Sequence, residues 1–571
     1  MTKRTPGQLS TQSSMASLPQ RPAAPVESQQ SPTSAPSYMA ASDDSQPKTS
    51  PKTPRASREF VLADMDGRSA RDNRACANCI MKLTPREVQQ VNWHLTEDQP
   101  CRLCQIAEGK PEAYTKPFTD FLQENPTVFH TVQHFKTKLN QLDFTELPSY
   151  DSWTDKLQPG GRYYVTRNGS SLIAFTVGKA YKPGDGVAMI AGHIDALTAR
   201  LKPVSSKPNK AGYVQLGVAP YAGGLNQTWW DRDLSIGGRV IVRDDKTGKT
   251  TTKLVKLDWP IAKIPTLAPH FGVGMMGSNN PETEAVPIIG LEGPNDEAEA
   301  EGLGSPGSFV RTQPPRLVKL LAKELGITSL DSILNWELEL FDSQPAQTLG
   351  LDREFITAGR IDDKLCSWSA LVALLAASDN EDDGFVKLVA LFDDEEIGSL
   401  LRQGARGNFL PLTVERIVEG LNPSLYGPGV IGQTYARSFL CSADVTHAGN
   451  PNFLGRYLDD HVPRLNVGMV LSTSPNGHMT TDAVSTAILR RSADLSGCQT
   501  QVFQVRNDSR EGGTVGPMLS SAMGVKAADV GLPQLSMHSV RATTGALDPG
   551  LGVKFFKGFL DNWQKIYAEW E

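Results

Sequence analysis

Four times in this 571-residue chain a short apolar run, patterned like a buried strand, stops on a residue able to bind a metal. Val187-Ala188-Met189-Ile190-Ala191 runs into Gly192-His193-Ile194-Asp195, and Val386-Lys387-Leu388-Val389-Ala390-Leu391-Phe392 runs into Asp393-Asp394-Glu395-Glu396. Ser438-Phe439-Leu440-Cys441-Ser442-Ala443 ends on Asp444, and Pro533-Gln534-Leu535-Ser536-Met537 ends on His538. Ligands and chemistry in open α/β sheets gather just beyond the carboxyl ends of strands. Histidine with carboxylate is the donor set that suits Zn²⁺ and related divalent ions. One such stop carries little information; four of one chemical type point to a metalloenzyme.

Each motif has a plain reading beside the chemical one. On a strand the side chains of His193 and Asp195 share a face, and a ligating imidazole usually gives its second N–H to a carboxylate; an ordinary surface pair has the same spacing. Acidic runs such as Asp394-Glu395-Glu396 are commonly solvated turns. Here the apolar run before and Ile397-Gly398-Ser399 after favour a site, where one carboxylate binds metal while its neighbour takes a proton from water. Arg360-Ile361-Asp362-Asp363-Lys364-Leu365 opens a helical stretch with two acids. Taken alone that reads as a helix cap; the alternative is a carboxylate shared by two metals.

The elements that must position these residues can be read around them. From residue 111 onward the chain is patterned as globular. Residues 117–122 and 135–139 read as helical, and 162–169 with 171–175 as a hairpin around Asn168-Gly169. Residues 205–345 change character, with β-type runs such as Gly237-Gly238-Arg239-Val240-Ile241-Val242 and several Gly/Pro breaks. Within them 279–308 is acidic, Gly/Pro-rich and reads as a surface loop. After 346 the alternation of strand and helix returns, with a helix over 365–377. The expected fold class is α/β: a catalytic domain in two parts, 111–204 and 346–571, split by an inserted β-rich domain at 205–345.

Residues 1–58 are rich in Ser, Pro, Gln and Thr and hold too little apolar surface to offset their ordering entropy, so they read as a disordered tail. Residues 59–110 form a separate Cys-containing segment. Its two CxxC pairs, Cys76 with Cys79 and Cys101 with Cys104, could hold a structural Zn²⁺, although 21 residues between the hooks slightly exceed the usual ~15–20. Plain reduced thiols are the alternative. A net charge of −6 without basic blocks gives no reason to expect nucleic acid or anionic membrane. No stretch approaches the ~20 apolar residues of a membrane span, so the chain reads as soluble and made in the cytosol.

The order GHxD, Asp at a helix start, Glu-Glu, Asp and His resembles the dinuclear zinc exopeptidases of the aspartyl aminopeptidase / aminopeptidase I family. Supporting segments are Ala191–Thr198 with 201–205, Ala219-Pro220-Tyr221-Ala222-Gly223-Gly224, Trp230-Asp231-Arg232-Asp233-Leu234, residues 264–271, Asn476-Gly477-His478-Met479 and Gly552-Val553-Lys554-Phe555-Phe556. The likeness runs from about residue 112 to the end and favours the vacuolar branch. It implies two Zn²⁺ per subunit, one on His193 and Asp444, the other on Glu396 and His538, with Asp362 bridging. Asp195 would orient His193, and Glu395 would be the general base. It also implies that the inserted domain dimerises, that subunits assemble as dodecamers, and that His270 reaches a neighbour's active site to touch substrate.

Peptides are then the expected substrates, and vacuolar delivery through a selective-autophagy receptor reading the N-terminus is the expected route, with a cytoplasmic enzyme as the alternative. The aspartyl branch aligns a lysine with Ser472, so neutral apolar N-terminal residues are the expected preference. Aspartyl aminopeptidase specificity is the alternative, as is a dinuclear zinc carboxypeptidase or deacylase. An inactive scaffold is disfavoured by the complete ligand set.

Overall fold

The computed structural model describes residues 110–271 and 280–570. The 1–58 tail and all four cysteines of the CxxC pairs lie outside the described residues. The two helical stretches appear as Thr115–Glu124 and Val128–Gln141. Arg162–Arg167 and Ser171–Val177 pair antiparallel around Asn168 and Gly169, both at positive φ. That is the backbone an Asn-Gly hairpin turn requires.

The central sheet has nine strands, and its middle is parallel. Val386–Phe392, Val187–His193, Phe439–Ala443 and Lys526–Gly531 lie side by side in that order. Ser171–Val177, Arg162–Arg167 and Thr145–Glu146 extend one edge; Met469–Ser472 and Thr500–Phe503 extend the other. The parallel strands are mostly apolar because both faces are covered, with Lys387, Ser442 and Asp529 as buried exceptions. Ala188 and Ile190 face one hydrophobic cluster with Trp368, Phe556 and Leu489, while Val187, Met189 and Ala191 face a second with Phe409, Val414 and Leu519. Helices Ile361–Ala376, Ala483–Ser496 and Asp548–Trp570 thus cover one face, and Phe409–Leu421 and Val515–Met523 the other.

A six-stranded antiparallel sheet is drawn wholly from residues 198–342, in the order Thr250–Lys256, Leu234–Arg243, Ile333–Asp342, Thr198–Ser206, Tyr213–Tyr221, Ile288–Leu291. It has its own core around Trp229, Ile236, Leu321, Trp336 and Leu340. Its first strand starts at Thr198 and crosses residue 205. The acidic stretch read as a loop instead supplies the edge strand Ile288–Leu291 and a short helix, Asp296–Glu301. The apolar run Ile288-Ile289-Gly290-Leu291 gains its order from pairing with Tyr213–Gln215, a contact no local pattern announces.

A five-stranded sheet, Gln347–Leu349, Phe355–Ala358, Ala542–Gly545, Pro533–Leu535 and Thr446–His447, completes the layers. The last of the four apolar runs therefore belongs to a different sheet from the other three, and His538 follows it at φ 62°. Among the described residues no helix is long and apolar enough to cross a membrane.

One buried acid gives a stability prediction. Asp548 opens the C-terminal helix, fully buried, accepting from Asn466 N at 3.0 Å and Gly545 N at 2.9 Å. The Thr544 hydroxyl donates to Pro533 O at 2.8 Å, leaving its oxygen to accept from a protonated Asp548 3.2 Å away. Burial outweighs these backbone donors and pushes the Asp548 carboxyl up to about 7. The folded state then binds a proton that the unfolded chain gives up near ~3.9. The contribution is fully present below that value and is lost as pH rises through 7, on the order of 4 kcal/mol in all. Asp548→Asn removes the titration, but its amide nitrogen must face one of the two backbone N–H groups, so its Tm relative to wild type should be higher at pH 8 than at pH 4.5. An equal difference at both pH values would show that the carboxyl stays charged.

Candidate active site

The parallel register brings three of the four stops to one level. Phe392 pairs with His193, Leu391 with Gly192, and Ser442 with Ala191, so Glu395, Glu396 and Asp444 emerge beside His193. The helix Ile361–Ala376 aims its N-terminus at the same place. The Ser367 hydroxyl donates to His193 O at 2.6 Å and fixes helix against strand. Gly192 permits this approach: a Cβ there would lie 2.7 Å from Ala443 O and 2.8 Å from Asp363 Oδ2.

The two acids at the helix start divide the two roles open to them. Both have non-helical backbone angles. Asp363 is fully buried and accepts from Cys366 N at 3.3 Å, the cap of the helix proper. Asp362 projects into the cluster, with Oδ1 3.2 Å from His193 Nε2 and Oδ2 3.6 Å from His538 Nε2. Asp444 Oδ1 lies 3.5 Å from His193 Nε2, and Glu396 Oε2 3.4 Å from His538 Nε2. Glu395 Oε2 is 3.8 Å from His193 Nε2. Arg360, Asp394 and His538, one beside each carrier segment, all hold left-handed φ values of 63°, 66° and 62°, conformations that cost ~1–3 kcal/mol each and gather at functional sites.

Asp195 stands behind His193, its Oδ1 3.2 Å from Nδ1. It also accepts from the backbone N–H of Glu395 and of Glu396, each at 3.2 Å, and from the Tyr221 hydroxyl at 2.7 Å. The carboxylate therefore ties the Glu-Glu turn to the histidine strand. Tyr221 sits in a segment that marked the family resemblance, but its bond to Asp195 crosses between sheets and has no local signal.

The charge balance calls for cations. Burial pushes Glu395 up to about 8 and Asp444 up to about 6, against the lowering effect of His193. Glu396 is raised well above the usual range by burial and by Asp362. Burial acts against a charged His193, yet Asp444, Asp195 and Asp362 hold its imidazole well above the ordinary value. Asp195, for which burial is likewise opposed by its hydrogen bonds to His193 and Tyr221, stays below. Glu396 Oε1 is buried without a hydrogen-bond partner. One donor set is His193, Asp362 and Glu396; a second is His193, Asp363 and Asp444, each with its donor atoms within 4.8 Å of one another. Imidazole and carboxylate at this spacing fit zinc.

The cluster opens into a cleft of about 280 Å³ lined by Ser472, Met479, Phe503, Arg510, Glu511 and Met537 together with Glu395 and His538. Ser472 therefore does face the space beside the cluster. Arg510 on the following loop faces it too, a cation that the motif reading did not place there. His270 lies in the exposed turn Pro269–Phe271, stacked on Phe271 at 4.8 Å, and is not among the residues lining its own chain's cleft.

A three-layer α/β domain that gathers imidazoles and carboxylates at its strand ends, over an open cleft, is the build of a metal-dependent hydrolase. The chain belongs to the aminopeptidase I zinc metalloprotease (M18) family, whose pattern matches residues 121–560, and it is a zinc aminopeptidase. It is 41% identical to vacuolar aminopeptidase 1 of Saccharomyces cerevisiae over 81% of this chain and 91% of that protein. It is 39% identical to an aspartyl aminopeptidase of Aspergillus oryzae over 78% and 95%. Among solved structures, mApe1 of Chaetomium thermophilum superposes with a TM-score of 0.76 at 65% identity, covering 81% of this chain and all of that one. The Saccharomyces cerevisiae mApe1 dodecamer matches with a TM-score of 0.71 at 38% identity over 80% and 99%. Ape4 in its complex with Nbr1 matches at 0.76 and 36% over 80% and 87%.

Proposed function

We propose a two-zinc aminopeptidase that removes neutral apolar N-terminal residues from peptides. The observation that carries the two-metal reading is Asp362, whose two oxygens face His193 and His538 separately. His193 and Asp444 would hold one zinc, Glu396 and His538 the other, and Asp362 both. When bound, the ions would polarise the scissile carbonyl and acidify a water. Glu395 lies beside the ligands without being needed as one. It takes the proton of the attacking water and returns it to the departing amine. Asp195 holds the His193 ring in orientation.

Ser472 supports the neutral preference, because an acidic side chain beside it finds no lysine and a buried unpaired carboxylate is costly. Arg510 supports the second reading, aspartyl specificity. Glu511 and Asp529 line the same cleft and place acidic groups near that cation. A panel of aminoacyl chromogenic substrates with metal analysis separates the two. Leu-substrates should show higher kcat/KM than Asp-substrates, and Arg510→Gln should leave the Leu value within a few-fold. A higher value on Asp-substrates, lost in Arg510→Gln, would establish the aspartyl reading.

The same reading makes the 198–342 sheet the core of a dimerisation domain and the assembly a dodecamer, the form of the yeast relative mApe1. Leu349, Leu351, Phe453 and Leu454 are exposed apolar side chains of the kind further subunits cover. Vacuolar destination and an autophagy receptor reading the N-terminus complete it; a tagged chain lacking residues 1–58 should then stay in the cytoplasm.

A further inference from the structure

We propose that Tyr221 is a positioning residue through which the six-stranded sheet sets the zinc affinity of the site. The inference rests on reading His193 as a zinc ligand. Tyr221 ends the strand Tyr213–Tyr221, and its side chain crosses from that sheet to Asp195. Asp195 receives three protein donors besides the imidazole, and the phenol at 2.7 Å is the shortest; the two backbone N–H groups stand at 3.2 Å. The hydroxyl has one hydrogen, and its other acceptor, Asp394 Oδ1, is 3.4 Å away, so the proton goes to Asp195.

The ring is itself held. The Arg200 guanidinium lies 3.8 Å from its centroid, and Arg200 Nε lies 3.8 Å from Glu339 Oε2, so two further strands of the sheet fix the phenol. A buried tyrosine here places a polar atom between two buried carboxylates, where phenylalanine would fill the same volume. The hydroxyl thus serves the carboxylate rather than the packing. Without it Asp195 keeps only the two longer donors, and its carboxylate is held less firmly against His193 Nδ1, which the Asp195 backbone oxygen also faces at 3.2 Å. A carboxylate hydrogen-bonded to a ligating histidine typically changes metal affinity 10–100-fold, and Tyr221 acts through such a carboxylate.

The test is zinc affinity, measured on the full chain by competition with a chromophoric chelator. His193→Ala defines the zinc held elsewhere, including any at the CxxC pairs. Tyr221→Phe should weaken the His193-dependent zinc 10–100-fold, while Tyr164→Phe, which removes another buried hydroxyl bonded to Asn140 and Glu146, should leave it unchanged. In an Asp195→Asn background the Tyr221→Phe penalty should vanish. A Tyr221→Phe affinity within twofold of wild type overturns the inference, as does a full penalty in the Asp195→Asn background. If His193→Ala itself loses no zinc, the ligand reading fails instead, and the two failures are distinct.

Discussion

Glu395→Gln should bind as much zinc as wild type, unfold at the same temperature, and turn over peptide ~10²–10⁴-fold more slowly, the range that a positioned general base contributes. The residue lines the cleft beside the ligands, and its closest imidazole, His193 Nε2, is 3.8 Å away and already faced by Asp362 and Asp444. Amide for carboxylate keeps the shape, removes the proton acceptor and deletes no ligand. Asp362→Ala is the contrasting variant. It removes the carboxylate that faces both histidines, so metal content and activity should fall together. Equilibrium dialysis with metal analysis distinguishes the two classes. Near wild-type hydrolysis by Glu395→Gln would remove Glu395 from the chemistry.

The strand ends were legible because burial on both faces of a parallel strand writes a continuous apolar run, and His193, Glu396 and Asp444 interrupt such runs abruptly. Asn168-Gly169 was legible for a similar local reason: few sequences accept two successive left-handed residues. The choice between Asp362 and Asp363 was not legible in the local pattern, since both sit at the mouth of one helix. The family resemblance named Asp362, and the three-dimensional turn gives the cap to Asp363 and aims Asp362 at the two histidines. Tyr221 and Arg510 were missed because each reaches the site from a segment whose own pattern is ordinary, a strand of another sheet and a polar loop. The edge strand Ile288–Leu291 was missed because its order comes from a partner distant in sequence, Tyr213–Gln215. Local sequence thus reports residues whose chemistry breaks a pattern, and stays silent on those recruited by long-range contact.

His270 tests whether the site is complete in one chain. It is exposed in a turn flanked by Leu267 and Phe271, themselves exposed, and it does not line its own cleft. An exposed histidine between exposed apolar groups is what a contact with another subunit would cover. If it enters a neighbour's site and donates to the developing oxyanion, His270→Ala should cost ~10²–10³ in kcat, as loss of one such donor does. The decisive arrangement mixes two inactive chains, His270→Ala and Glu395→Gln, under conditions that exchange subunits. In a twofold dimer of one of each, the site built on the His270→Ala chain keeps Glu395 and receives an intact His270 from its partner. The other site lacks both. An equal mixture of randomly paired chains should therefore recover about a quarter of wild-type activity. No recovery, with exchange shown by native mass spectrometry, would confine His270 to packing in its own turn.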